Sequence, residues 1–278
     1  MNTNKVWYVT GASKGLGLAL VQQLLKAGYR VAATSRSKEA LARAVGDYDE
    51  RHFLPLETDL ASAASIAQSV EQTQAAFGRI DVVVNNAGYG IGGALEELSA
   101  TEISDSFGVN VMATIGVIRQ VLPVMRAQRS GHIINISSIA GFAAATGWAM
   151  YAATKYAVTG LSEVLAEDVK ALGIHVTVVA PGAFRTQFLS GESLVLSQNK
   201  IEDYQGVHAS HARYQTMDGL QLGDPVKAAA VFIQLAEHPA PPVRLFLGSD
   251  AFQRAQDKIA LLQEEMEQWK AMSFATDF

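Results

Sequence analysis

Short apolar runs alternate with stretches of helical period along most of this chain, and that alternation limits its possible folds more than any other feature. Residues 6–9, 31–33, 53–56, 82–84, 132–136, 175–179 and 244–247 read as strands. Between the first two, Leu16, Leu20, Leu24 and Leu25 recur at helical spacing until Gly28. Further helices are expected over 39–45, 66–77, 109–125, 151–172 and 225–236, with Asp224 as the N-cap of the last. Strands that are apolar on both faces and joined by helices belong to a parallel sheet covered on both sides. The predicted fold is therefore α/β: a doubly wound parallel sheet of about seven strands with helices on both faces. A length of 278 residues leaves room for nearly two domains, but no linker, repeat or low-complexity tract interrupts the pattern, so a single domain over 1–278 is expected.

Two segments depart from the alternation. Residues 183–224 mix Phe184, Phe188, Leu194, Val195, Leu196 and Tyr204 with Ser, Gly and Asn, and are expected to form a lid-like insertion. After Gly248, Phe252, Ile259 and Met266 recur every seven residues, as do Ala255, Leu262 and Trp269, giving one apolar stripe on a C-terminal helix over 250–272. The preferred expectation is a helix docked on its own domain, with a short coiled-coil seam as the alternative.

Composition removes several classes of chemistry. The chain has no cysteine, which excludes thiolate nucleophiles, disulfides, Fe–S clusters and cysteine zinc sites. A net charge of −5 leaves no electrostatic footprint for nucleic acid or an anionic membrane, so neither partner is expected. The N-terminus lacks the pattern of a secretory signal, and a cytoplasmic location is expected. Residues 133–154 carry no charge, yet Asn135, Ser137, Ser138, Gly141 and Gly147 interrupt them, which argues against a membrane span. Asn135-Ile136-Ser137 fits the glycosylation triplet but lies in an expected buried strand. His208 and His211 stand three apart with no third ligand pattern nearby, and no metal is expected.

The first strand runs into Thr10-Gly11-Ala12-Ser13-Lys14-Gly15-Leu16-Gly17. Glycines between a strand and a helix permit a tight turn and let the backbone approach a pyrophosphate, which then rests on the helix N–H groups. Gly11, Ser13, Lys14, Gly15, Leu16 and Gly17 are thus candidate cofactor residues. The second strand of such a site usually ends in an acid that binds the ribose 2′-OH. Here it ends in Thr34-Ser35-Arg36. Ser35 and Arg36, with Lys14, offer a hydroxyl and two cations where a 2′-phosphate would lie, which favours NADP(H) over NAD(H).

The glycine pattern, Asn85-Asn86-Ala87-Gly88, Asn110, Ser138, Tyr151-x-x-x-Lys155 and Pro181-Gly182 follow one another in an order that resembles the short-chain dehydrogenases/reductases. The resemblance covers residues 5–188 and the shorter, single-domain branch, and within it the 17β-hydroxysteroid and retinol dehydrogenase-like group. It implies a Rossmann-type fold and a catalytic tetrad of Asn110, Ser138, Tyr151 and Lys155. Tyr151 would be the general acid/base, with the Lys155 ammonium lowering its pKa from about 10. Lys155 would also bond the nicotinamide ribose, Ser138 the substrate carbonyl, and Asn110 a water of a proton relay. The resemblance further implies that Asp59 and Leu60 border the adenine and that Asn86, Ala87 and Gly88 border its ribose. Pro181, Gly182, Phe184 and Thr186 would close over the nicotinamide.

A pocket of Ile91, Ser138, Phe142, Trp148, Met150, Phe184 and Phe188 would favour an apolar substrate. The expected activity is NADP(H)-dependent interconversion of a ketone or aldehyde and an alcohol, by a homo-oligomer (dimer or tetramer). The rival readings are a catalytically silent NADP(H)-sensing protein and a methyltransferase using S-adenosylmethionine. Neither has a use for Tyr151-x-x-x-Lys155.

Overall fold

The computed structural model describes residues 3–189 and 193–278. It opens with β1 (Val6–Val9), α1 (Gly15–Lys26), β2 (Arg30–Ser35), α2 (Lys38–Val45), β3 (Phe53–Glu57), α3 (Ala63–Phe77) and β4 (Val82–Asn85). After β5 (Gly90–Gly92) come α4 (Ala100–Phe107), α5 (Ala113–Gln128), β6 (Gly131–Ile136), α6 (Ala149–Lys170) and β7 (Ile174–Pro181). The chain finishes with β8 (Leu194–Leu196), α7 (Gln205–Gln215), α8 (Pro225–Glu237), β9 (Arg244–Leu247) and α9 (Ser249–Phe274).

The seven expected strands form one parallel sheet in the order β3-β2-β1-β4-β6-β7-β9. Successive side chains of a strand point to opposite faces, and the two cores follow from that. Trp7 and Val9 enter a layer with Leu20 and Leu24 of α1 and Phe232 of α8, whereas Tyr8 enters one with Ile66 of α3, Val121 of α5 and Val176 of β7. Strand order reverses between β2 and β4 on either side of β1. Ligands of doubly wound sheets bind in the crevice at the carboxyl ends of the strands at such a point.

Three features depart from the sequence reading. The helix expected over 109–125 begins earlier, at Ala100, and is interrupted by a five-residue π turn, Gly108–Met112. The whole stretch 100–128 is long and apolar enough to cross a membrane by length and composition alone. Its Val117, Ile118, Val121 and Met125, however, are buried in the core against the sheet. Secondly, β5 and β8 pair in a separate two-stranded parallel sheet, and the irregular segment after β7 contains α7. Thirdly, α9 docks on its own domain only through its first turns. Ala251 and Ala255 are buried beside Ile139, Phe142 and Phe246, and every residue from Ile259 onward is exposed. Asp224 caps α8 as expected, accepting from Val226 N at 2.8 Å.

Candidate active site

The turn between β1 and α1 is held from behind by the turn after β4. Thr10 Oγ1 accepts from Asn86 N (3.0 Å) and Ala87 N (3.1 Å), and Asn86 Nδ2 donates to Thr10 O and Gly11 O, both at 3.0 Å. Asn86 therefore acts here as a brace for the glycine turn. Gly11 has φ +64°, and a Cβ there would stand 2.7 Å from Ala87 Cα, so only glycine allows the two turns to meet. Gly17 is closed in by Asn86 Nδ2 and Gly11 O, at 2.5 and 2.7 Å from where its Cβ would be.

Gly15 differs. A Cβ there would meet nothing nearer than Thr186 Cβ at 3.7 Å. The N-terminus of α1 beside that open space has no side-chain cap. Uncapped N–H groups beside glycine-lined space suit an anion, and the cradle fits the diphosphate of a dinucleotide. Ser13, Lys14 and Leu16 are all half-buried around it. At the end of β2, Ser35 is half-buried and accepts from Ser37 N, and Arg36 is exposed. Asp59 is exposed and accepts from Ala61 N at 2.9 Å, while Leu60 packs against the core.

The tetrad residues converge at the ends of β4 and β6. Asn110 lies in the π turn, which brings its side chain inward. Its Oδ1 accepts from Tyr89 N (2.9 Å), and its Nδ2 donates to Tyr89 O (2.9 Å) and Thr154 Oγ1 (3.2 Å). Gly88 leaves room for this, because a Cβ there would stand 2.9 Å from Asn110 Oδ1 and 3.5 Å from Lys155 Nζ. Ser138 follows β6; its Oγ accepts from Ala140 N (3.1 Å), and its hydroxyl acts on the Tyr151 phenol to lower its pKa. Tyr151 and Lys155 share one face of α6 near its N-terminus, with Lys155 Nζ 5.7 Å from the Tyr151 ring centre.

The electrostatics differ from the sequence expectation. Lys155 Nζ donates to Ile136 O at 2.9 Å, and burial pulls its pKa down to about 8. Burial pushes the Tyr151 phenol up to about 12, against the smaller opposite effect of the Ser138 hydrogen bond. The ammonium beside Tyr151 does not yield a depressed phenol here, because both groups are shut away from water and the ammonium is engaged by a carbonyl.

Ile91, Trp148, Met150, Phe188 and Leu194 gather around Tyr151 in an apolar cluster. The Trp148 and Phe188 rings stand 6.2 and 5.9 Å from the Tyr151 ring, centre to centre. Two expected members lie elsewhere. The short turn after Ser138 sends Phe142 away to pack on Phe246, 5.1 Å between centres, below α9. Phe184 forms a bridge with Gly223 and packs into the α1–α8 core, because Gly223 leaves room for its ring. Pro181 is buried, and Gly182 and Thr186 are half-buried, with Thr186 beside Gly15.

Residues 193–224 lie over this cluster. Gly90 and Gly92 let them approach: a Cβ on Gly90 would meet Leu194 Cδ1 at 3.2 Å, and one on Gly92 would meet His211 Nε2 and Leu196 Cδ2 at 2.8 Å. Glu97, only 3% exposed, fastens the segment by accepting from Ile201 N (2.9 Å) and pairing with His208 Nε2 (2.6 Å), besides accepting from Ala94 N. Burial opposes ionisation of Glu97, yet the bonds from Ile201, His208 and Ala94 hold its pKa down at about 2. His211 bonds Gly147 O at 2.9 Å, so the two histidines have separate structural partners. Among the described residues no group of three His, Cys, Asp or Glu stands together as a metal site. Glu97 escaped the sequence reading because Leu95-Glu96-Glu97 looks like an exposed turn. The expected lid residues 190–192 lie outside the described residues.

Residues 5–194 match the family model described as short chain dehydrogenase. An oxidoreductase of Botryotinia fuckeliana, BOA17, is 34% identical over 98% of this chain and 99% of its own length. Retinol dehydrogenase 8 of Homo sapiens is 34% identical over 74% of this chain and 66% of its own length. A short-chain dehydrogenase of Streptomyces avermitilis superposes with a TM-score of 0.91 at 36% identity, covering 99% of both chains. A metagenomic short-chain oxidoreductase in complex with NADP gives 0.67 at 31% identity, over 88% of this chain and 97% of its own. A Burkholderia phymatum relative in complex with NAD gives 0.79 at 25%, over 93% and 95%.

Proposed function

This chain belongs to the short-chain dehydrogenase/reductase family, and on that premise we propose that it is an NADP(H)-dependent oxidoreductase interconverting an apolar ketone or aldehyde and its alcohol. The observation that carries the reading is the meeting of Tyr151, Ser138 and Lys155 beneath an apolar cluster, beside the uncapped start of α1. When bound, the nicotinamide cofactor supplies or accepts the hydride. The chain supplies the rest. The N–H groups of α1 and the Thr186 hydroxyl would hold the cofactor's phosphates, and Lys155 its ribose. Ser138 donates a hydrogen bond to the carbonyl oxygen, and Tyr151 gives that oxygen its proton as negative charge builds there, taking the proton back in oxidation. Asn110 fixes the turn carrying Tyr89 and, through Thr154, the helix carrying the pair.

The preference for the 2′-phosphorylated cofactor rests on Arg36, which is exposed at the end of β2 where an acid would otherwise select NAD(H). The apolar substrate class rests on Ile91, Trp148, Met150 and Phe188 around Tyr151, and it agrees with a relative named for retinol, an apolar alcohol. A cytoplasmic location and a homo-oligomer, dimeric or tetrameric, complete the proposal. Tyr156, Gly160 and Val164, four apart on α6, offer an exposed face for association. Size-exclusion chromatography with light scattering is expected to give a mass above that of one chain.

NADPH oxidation measured across carbonyl compounds of graded hydrophobicity tests the reading. Turnover should rise with apolar size, and Arg36→Ala should raise the KM for NADPH about ten-fold while leaving that for NADH unchanged. Tight NADPH binding without turnover on any carbonyl would support the silent, cofactor-sensing alternative instead.

A further inference from the structure

A cavity of about 370 Å³ opens beside the glycine turn, lined by Gly15, Arg185, Thr186, Gln187, Asp218, Gly219 and Pro225. Its sheet-side wall is the start of α1, where Gly15 offers uncapped backbone and no side chain. The segment after β7 lines it too, and its cation there is Arg185. Arg185 is exposed, but its main chain and one guanidinium nitrogen are tied to the protein. Its backbone N donates to Gly223 O (2.8 Å), and its Nη2 donates to Gln221 O (3.1 Å) on a residue that is itself 2% exposed. One guanidinium donor is thereby fixed to the protein, which orients a planar group that carries five N–H donors.

We propose that Arg185 is a further cofactor-binding residue that holds the diphosphate of the dinucleotide from the segment after β7, together with the α1 amides. The inference rests on the dinucleotide reading above and adds a second pole to it. A guanidinium and the start of a helix lining one open cavity both bring positive potential to it, although Arg185 is itself exposed, and the charge that suits both is a phosphate group. Asp218 lines the same cavity and opposes that potential. Arg185 and Arg36 therefore read different parts of the ligand. The diphosphate is common to NADPH and NADH, whereas the 2′-phosphate belongs to NADPH alone.

The test is direct binding of NADPH and of NADH, measured by titration calorimetry on the full chain without substrate. Arg185→Ala should weaken both dinucleotides by the same factor, about ten-fold for a lost charge-assisted contact. Arg36→Ala should weaken NADPH alone. Asp218→Asn should tighten both by about two-fold. Arg185→Gln keeps a donor for Gln221 O but has no charge. Weakened binding in this variant, with an unchanged melting temperature, separates diphosphate recognition from mere support of the lid. Restored binding in Arg185→Gln, unchanged binding in Arg185→Ala, or a loss confined to NADPH would each overturn the proposal. If the unmodified chain binds neither dinucleotide, the dinucleotide reading falls, and the Arg185 contact falls with it.

Discussion

Burial pushes Tyr151 up to about 12 and draws Lys155 down to about 8, so the surroundings favour the uncharged form of both. The sign matters for direction. A phenol whose pKa is raised keeps its proton across the physiological range, so the donor form needed for reduction is fully populated and the phenolate needed for oxidation is scarce. Carbonyl reduction should therefore be nearly independent of pH around neutrality, while alcohol oxidation should climb from about pH 7 to about pH 9 as the phenolate fraction grows. Profiles of kcat in both directions check this, and an oxidation rate that falls over that range would contradict it. Asn110, Ser138, Tyr151 and Lys155 could be singled out in the sequence only through the family resemblance, since a Tyr, Ser or Asn taken alone is usually a structural hydrogen-bonding residue. Their ionisation was not legible, because it depends on the segment that shuts them from water, over fifty residues further along the chain for His208. Phe142 and Phe184 were misplaced for a similar reason. Being aromatic and near a motif does not say which way a side chain turns, and the short turn after Ser138 and the space above Gly223 decide it.

The seven-stranded sheet and its helices were readable from apolar periodicity, since each element buries a regular face. The small β5–β8 sheet was not: each strand has three residues, and β5 is Gly-Ile-Gly. Those glycines matter for close approach, not for any period a sequence shows. Gly92→Val would drive a side chain into His211 and Leu196, a clash expected to cost about 1–3 kcal/mol and to loosen the covering segment. Substrate KM should rise while NADPH affinity holds, as separate titrations would reveal. The π turn was equally hidden, because residues 108–112 fit an ordinary helix by composition and only the inward placement of Asn110 distinguishes them. Glu97 ties the same segment down through Ile201 N and His208. Its pKa lies near 2 in the fold against 4.5 for the free group, so its stabilisation is full above about pH 4.5 and is lost as the pH falls toward 2. Thermal melts across that range should show a steeper acid loss for the unmodified chain than for Glu97→Gln.

A single nucleotide-binding domain accounts for the chain up to β9, and the two orders of strand addition around β1 place the site at the reversal. The charge-free stretch 133–154 carries two of the proposed catalytic residues. It starts in β6, carries Ser138 and Tyr151, and ends one residue before Lys155. The tail stands apart from that body. Ala251 and Ala255 fasten α9, and Ile259, Leu262, Met266 and Trp269 extend the same stripe into the open. Ala255→Asp would bury a carboxylate and should cost about 3 kcal/mol or more in denaturant unfolding. Ending the chain after Lys258 should leave the unfolding midpoint of the domain nearly unchanged, since the removed side chains are exposed on this chain.

Tyr151→Phe compared with the unmodified enzyme offers the most direct measurement: the single-turnover rate of NADPH oxidation with a hydrophobic ketone, alongside NADPH affinity by titration. Removing one hydroxyl should leave NADPH affinity within about two-fold and lower the rate by about 10³-fold or more, because the proton donor is lost while the cradle stays. A Tyr151→Phe enzyme that binds NADPH and turns over at an undiminished rate would contradict proton transfer by Tyr151.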